Sequence, residues 1–205
     1  MKRVCDILLV LLAAPLWLPI FALTALAVLL VEGRPVFFMQ TRAGLHARPF
    51  RIVKFRSMRM GKGSDAERLG RFGRFLRASS LDELPELFLV LVGNMSLVGP
   101  RPLPMRYLSR YTPEQMRRHE VRPGITGWAQ IHGRNALEWE SRFAHDVWYV
   151  ANRSLWLDVK ILFLTVGTVF AARGISEKGE ATMSTFKGQA RLPASESCGV
   201  RTSSR

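Results

Sequence analysis

Hydrophobic and polar positions fall into distinct regimes along this chain. From Ile7 to Val31 no charged residue occurs. As a helix, that run would extend roughly 37 Å at about 1.5 Å per residue, enough to cross a bilayer. Pro15 and Pro19 interrupt it, and each removes a backbone donor and bends or breaks a helix. A kinked span and a re-entrant hairpin are therefore both open. Basic residues flank the run on each side, Lys2 and Arg3 before it and Arg34 and Arg42 after it. By the positive-inside rule this favours two cytoplasmic ends, hence the hairpin. A cleaved signal peptide fits less well, because its apolar core is normally only about 7–15 residues.

Beyond Gly33 the period changes. The stretches VFFMQTR and PFRIVKFRSM, separated by AGLHA, predict two short strands in a hairpin, with Lys54, Arg56 and Arg59 near its end. ERLGRFGRFLRA then places Arg68, Arg71, Arg74 and Arg77 beside Phe72, Phe75 and Leu76, the pattern of a basic amphipathic helix suited to an anionic membrane surface. A helix is expected from about Pro113 to Glu120, and another, aromatic-rich, over LEWESRFAHDVWYV with Trp139, Phe143 and Val147 on one side. SLWLDVKILFLTVGTVFAA is apolar apart from Asp158 and Lys160, which argues against a second span and suits a helix in the interface plane. The expected fold class is α+β and mainly helical: a re-entrant membrane hairpin over residues 1–33, a catalytic domain over 34–187 with a short β-hairpin and interfacial helices, and a disordered tail over 188–205.

A net charge of +14 adds an anionic partner to this picture: nucleic acid, anionic lipid or a phosphorylated substrate. No reading helix or stacking sheet for nucleic acid is evident, and an arginine helix beside an apolar anchor fits lipid better. Cys5 and Cys198 lie near opposite ends, as in a reduced compartment without structural disulfides. The four histidines have no metal-binding spacing.

Against the basic background, SSLDELPELF gathers Asp82, Glu83 and Glu86. Ser80 with Glu83 three residues on has the form of a capping box, and Leu81, Leu84, Leu87, Phe88 and Leu91 form one apolar face. An ordinary acidic helix start would account for this much. Two loops point elsewhere. In GNMSLVGPRPLP, Pro100 and Pro102 fix the backbone around Arg101, as bidentate phosphate recognition requires. In VRPGITGWAQIHGRNA, glycines allow close backbone approach to a ligand, and Trp128, Gln130, His132, Arg134 and Asn135 supply stacking and polar contacts. Carboxylates within a phosphate site call for a bridging magnesium ion, and they also permit carboxylate attack on phosphorus.

The blocks KFRSM, RASSLDELPELFLVLVGNMSLVGPRP, RPGITGWAQIHGRNA and WLDVKILFLT, in this order from about Arg3 to Lys187, resemble the monotopic phosphoglycosyl transferases, the initiating bacterial sugar transferases. The likeness is to small single-domain members such as the bacillosamine phosphate transferase of bacterial N-glycosylation. The resemblance implies transfer of a phosphosugar from a UDP-sugar to undecaprenyl phosphate with release of UMP, at the cytoplasmic face of the bacterial inner membrane. It makes Asp82 the nucleophile of a covalent phosphosugar intermediate, with Glu83 beside it and Mg²⁺ held by both. Lys54, Arg77, Arg101, Arg134 and Asp158 occupy positions within the family's motifs and are assigned to substrate binding. The family's membrane helix is commonly broken at a Ser-Pro pair. Here Ala14 precedes Pro15, so the break must draw on Pro19 or on packing. The identity of the sugar and the formation of a homodimer stay open. The competing reading is a non-enzymatic, basic membrane-surface adaptor that binds anionic lipids through Arg68 to Arg77.

Overall fold

The structure is a computed structural model in which residues 1–133, 137–170, 185, 186 and 188 are described. Its first two helices, α1 (Lys2–Leu12) and α2 (Ala14–Val31), meet at a break on Ala13. Pro15 has no N–H for the preceding turn, so α1 stops short of it and α2 restarts with proline in its first turn, where that donor is not needed. The Val10 carbonyl is satisfied by a side chain instead: the Trp17 indole Nε1 donates to it at 3.0 Å. Pro19 lies inside α2 without ending it. Packing around Trp17 therefore accompanies the break, in place of the hydroxyl that Ala14 lacks. Among the described residues, Ala14–Val31 is the helix long and apolar enough to cross a membrane.

Both ends of this segment are tied to the rest of the molecule. Lys2 Nζ lies 2.6 Å from Asp158 Oδ2. Arg3 donates to the carbonyls of Val90 and Leu91, in the last turn of α5 (Glu86–Val92), where carbonyls lack helical partners and attract a cation. Asp6 is buried and accepts from Ser96 Oγ at 2.7 Å. At the other end, Arg56 donates to the carbonyls of Glu32, Gly33 and Arg34. Between these ties, Val10 and Trp17 pack with Val90 and Met95, and Val28 packs with Phe55 and Leu76.

The expected hairpin forms from β1 (Phe37–Ala43) and β2 (Pro49–Phe55), antiparallel, with Phe38 opposite Lys54 and Phe37 opposite Phe55. The basic helix forms in two pieces, α3 (Asp65–Arg68) and α4 (Arg71–Ala78), because Leu69 leaves helical geometry to bury its side chain. Arg71 and Arg74 face solvent, whereas Arg77 turns inward.

One local expectation is corrected. Ser80 forms no cap: its φ is 57°, and Leu81–Glu83 makes a 3-10 turn after which α5 starts only beyond Pro85. Glu83, which a capping box would have spent on the Ser80 N–H, is free to bond elsewhere. In the second loop, which lines a cavity with Thr126, Ala129 and Gln130, Gly124 also serves a close backbone approach. β3 (Ser96–Val98) pairs in parallel with β4 (Gly124–Thr126), and a Cβ on Gly124 would stand 2.1 Å from the Gly99 nitrogen.

The expected helix at 113–120 is a short α6 (Pro113–Met116), capped by Thr112 and Gln115, followed by a 3-10 turn over Arg117–Glu120. After α7 (Trp128–Ile131), α8 (Trp139–Asn152) and α9 (Leu155–Phe170) complete the described body. Leu157, Asp158 and Ile161 of α9 are buried, while Trp156 and Phe163 point outward.

Candidate active site

Five of the residues expected in the site line one cavity of about 720 Å³: Lys54, Arg77, Asp82, Glu83 and Arg101. They come from four elements. Lys54 projects from β2, on the face shared with its cross-strand neighbour Phe38. Arg77 ends α4, and a Cβ on Gly73 would stand 1.9 Å from the Ser57 carbonyl oxygen, so only glycine lets α4 settle there. That seating puts Arg77 Nε 3.0 Å from Ser57 Oγ. Asp82 and Glu83 sit on the tight turn after Ser80. Arg101 lies between Pro100 and Pro102, beyond the end of β3.

The two adjacent carboxylates have different surroundings. Glu83 Oε1 is 2.5 Å from both Lys54 Nζ and Arg101 Nη2. Burial pushes its carboxyl up, but Arg101 and Lys54 outweigh this and hold it well below the usual range. Asp82 is buried and accepts no hydrogen bond among the described residues. Burial, and secondly the charge of Glu83, raise its carboxyl to about 6 against the pull of Lys54, Arg101 and Arg77. Glu86, at the start of α5, stands behind the pair with its Oε1 3.1 Å from Lys54 Nζ. Its burial pushes it up to about 7. Lys54 thus bridges Glu83 and Glu86, and their charges raise its ammonium pKa in spite of burial.

Arg101 is positioned from behind. Arg118 Nη2 donates to the Arg101 carbonyl at 2.8 Å and to Asp146 Oδ2 at 2.7 Å, and both members of this ion pair are almost fully buried. Arg42, Arg142 and Asp146 also line the cavity. Sequence reading had passed over all of these as site residues. Glu86 carried a signal, since it shares a segment with the dyad. Arg118 and Asp146 are 28 positions apart and carried none.

One expected site residue is placed differently and one falls outside what the structure describes. Asp158 is not among the cavity's lining residues; its Oδ1 accepts from Tyr149 Oη at 2.6 Å and its Oδ2 faces Lys2. Arg134 lies outside the described residues.

Among the described residues no group of three or more histidine, cysteine, aspartate or glutamate side chains forms a metal cage. Asp82 and the second oxygen of Glu83 do suit an ion that takes one or two carboxylates and completes its shell with phosphate and water, as magnesium does.

The arrangement can bind phosphate through Lys54, Arg77 and Arg101 and present to phosphorus a carboxylate, that of Asp82, which accepts no hydrogen bond among the described residues. Known proteins resemble this sequence. The chain is 54% identical over 175 residues to an uncharacterized sugar transferase of Bacillus subtilis, EpsL, covering 82% of this chain and 87% of that one. It is 42% identical over 187 residues to the UDP-N-acetylgalactosamine-undecaprenyl-phosphate N-acetylgalactosaminephosphotransferase of Aeromonas hydrophila, covering 84% of this chain and 44% of the relative. It is also 42% identical over 182 residues to the UDP-glucose:undecaprenyl-phosphate glucose-1-phosphate transferase of Escherichia coli, covering 81% and 39%. The chain thus spans less than half the length of these last two relatives. The model of the family described as bacterial sugar transferase matches residues 1–172, and the chain belongs to that family.

Proposed function

We propose that this protein is a phosphoglycosyl transferase that moves a sugar phosphate from a UDP-sugar to undecaprenyl phosphate, in two in-line displacements through Asp82. The observation that carries the reading is the Asp82 carboxylate, which accepts no hydrogen bond among the described residues and lines the same cavity as Glu83, whose Oε1 is held by Lys54 and Arg101. In the first displacement an Asp82 carboxylate oxygen attacks the sugar-bearing phosphorus of the donor. The bond from that phosphorus to the bridging oxygen breaks, UMP leaves with the electron pair, and the sugar phosphate remains on Asp82 as an acyl phosphate. In the second, a phosphate oxygen of the acceptor lipid attacks the same phosphorus and the carboxylate leaves, giving the diphosphate-linked sugar and restoring Asp82.

The raised pKa of Asp82 suits this role, since a more basic carboxylate is a better nucleophile and is still ionised at neutral pH. Arg101 and Arg77 bind the transferring and leaving phosphates, and Lys54 holds Glu83 in place beside Asp82. Mg²⁺ held by Asp82 and Glu83 would supply charge neutralisation at the phosphoryl oxygens when bound.

The apolar segment is read as a re-entrant anchor at the cytoplasmic face of the inner membrane. Support comes from the ties that Lys2, Arg3 and Asp6 at one end and the carbonyls of residues 32–34 at the other make to the same catalytic body. Such an anchor keeps the site at the headgroup plane, where a lipid confined to the bilayer can meet a water-soluble nucleotide sugar. Residues 1–33 then form the anchor and 34–187 the catalytic domain.

The test is UMP release by the purified protein in detergent, with magnesium and undecaprenyl phosphate, against a panel of UDP-sugars, with Asp82→Asn beside the wild type. Release with one donor, lost in the variant and in EDTA, is the expected result. No release from any donor by a folded wild type, together with salt-sensitive liposome binding, would replace this reading with that of a lipid-binding adaptor.

A further inference from the structure

The cavity has an apolar arm that the chemistry at Asp82 does not use. Phe37, Phe38, Met39 and Met60 line it along with the charged cluster, and all four are substantially exposed, Met39 at 58% and Met60 at 68%. Three consecutive large apolar residues at the open side of a basic cavity are costly to leave in water. Their position gives them a neighbour. Phe37 stacks on Phe55 at 5.4 Å and on Phe21 of α2 at 6.2 Å, so this lip continues into the surface of the helix long enough to enter a bilayer. On the other face of the strand, Phe38 stands opposite Lys54, whose ammonium holds Glu83. One strand of the hairpin therefore touches the membrane helix through Phe37 and neighbours the cation cluster through Phe38.

We propose that this lip is the entry for the polyisoprenoid chain of the acceptor, with the first isoprene units lying on Phe37, Phe38, Met39 and Met60 and the phosphate delivered to the Lys54 and Arg101 end. The inference rests on the reaction proposed above and extends it, by assigning the acceptor lipid and the nucleotide sugar to different arms of the cavity. The polar groups that Thr126, Gln130, Arg142 and Thr168 add to the lining are left to the donor. The cavity falls in the usual range for small-molecule sites, so it holds the head of the lipid while the rest of the chain stays in the bilayer.

The two half-reactions separate the two arms. With UDP-sugar alone, UMP release is a single stoichiometric burst that reports the donor arm. With undecaprenyl phosphate added, turnover reports both. Phe38→Ser and Met39→Ser, at exposed positions, are expected to raise the KM for undecaprenyl phosphate about tenfold or more while the burst amplitude stays stoichiometric. Val92→Ser, exposed on α5 and outside the cavity, serves as the comparison and should leave the acceptor KM unchanged. A photoactivatable polyprenyl phosphate should label residues 37–39 and 60.

An acceptor KM unmoved by both lip variants, or labelling elsewhere, overturns the assignment. So does a parallel loss of liposome binding with unchanged KM, which would make the lip a seat for bulk phospholipid. Absence of the UMP burst in the wild type would instead indict the reaction itself, and the labelling result would still decide the lip.

Discussion

Asp82 and Glu83 are neighbours in sequence, yet Glu83 Oε1 is shared by Lys54 and Arg101 at 2.5 Å each while Asp82 receives no hydrogen bond among the described residues. One carboxylate neutralises the cations and the other is left exposed to their field. A pair of identical groups is thereby divided between two tasks, by its surroundings alone.

Asp82→Asn should remove turnover and at the same time stabilise the fold. Burial and Glu83 lift the Asp82 carboxyl from its ordinary value of 3.8 to about 6, so at neutral pH the folded state carries an ionised group that the unfolded chain holds more easily. Between pH 6 and 4 the folded state takes up the proton first, and stability from this group grows as pH falls. At about 1.4 kcal/mol per pKa unit, the neutral amide should gain roughly 1–3 kcal/mol at pH 7.5. Thermal melts in detergent should show the variant above the wild type at pH 7.5 and the gap closing below about pH 4. A lower melting temperature at pH 7.5 would mean that Asp82 is structurally engaged.

The same shift sets a pH dependence for the chemistry. Attack needs the carboxylate, so kcat/KM for the UDP-sugar should fall about tenfold per unit below pH 6. Initial rates of UMP release between pH 5 and 8 measure this. A rate that held level down to pH 4.5 would argue against Asp82 as the nucleophile.

How far the sequence reached depended on the range of the interaction. The hairpin was legible because strand content and turn residues act locally, and Asp82, Glu83 and Arg101 could be picked out by their setting, whereas Lys54 and Arg77 entered through the family resemblance. The capping box was misread because Lys54 and Arg101, distant in sequence, compete for Glu83 more strongly than the Ser80 backbone does. The β3 and β4 pair was invisible, since its glycines look the same whether they serve a ligand or a neighbouring strand. Asp158 read as a site residue from its motif, but its partners Lys2 and Tyr149 are set by how α1 and α8 pack on α9.

Arg118→Met should be among the most damaging single changes away from the dyad. Arg118 and Asp146 are each about 2% exposed and paired at 2.7 Å, so removing one leaves a buried charge without its partner, a loss of about 3–5 kcal/mol. The substitution also frees the Arg101 carbonyl. A double variant, Arg118→Met with Asp146→Leu, removes both charges and should recover much of the stability. It should not recover donor kcat/KM, because the Arg101 carbonyl then loses the donor that holds it. Equal recovery of both would make Arg118 purely structural.

Trp17→Phe tests what holds the break between the first two helices. Phenylalanine can keep the edge contacts with Phe88 and Phe21, at 5.1 and 6.4 Å, but it cannot donate to the Val10 carbonyl. That carbonyl is then unpaired in apolar surroundings, at a cost of about 1–3 kcal/mol. Ala14→Ser would return a hydroxyl to the residue before Pro15, the position at which the family resemblance leads one to expect it. The Trp17→Phe single variant should therefore melt lower, and in vesicles the accessibility of its N-terminus to a membrane-impermeant label should differ from that of the wild type. The Ala14→Ser, Trp17→Phe double variant should regain both properties. If Trp17→Phe behaves as wild type, Pro15 alone fixes the break; if serine fails to rescue, the indole acts through its packing and not through its N–H.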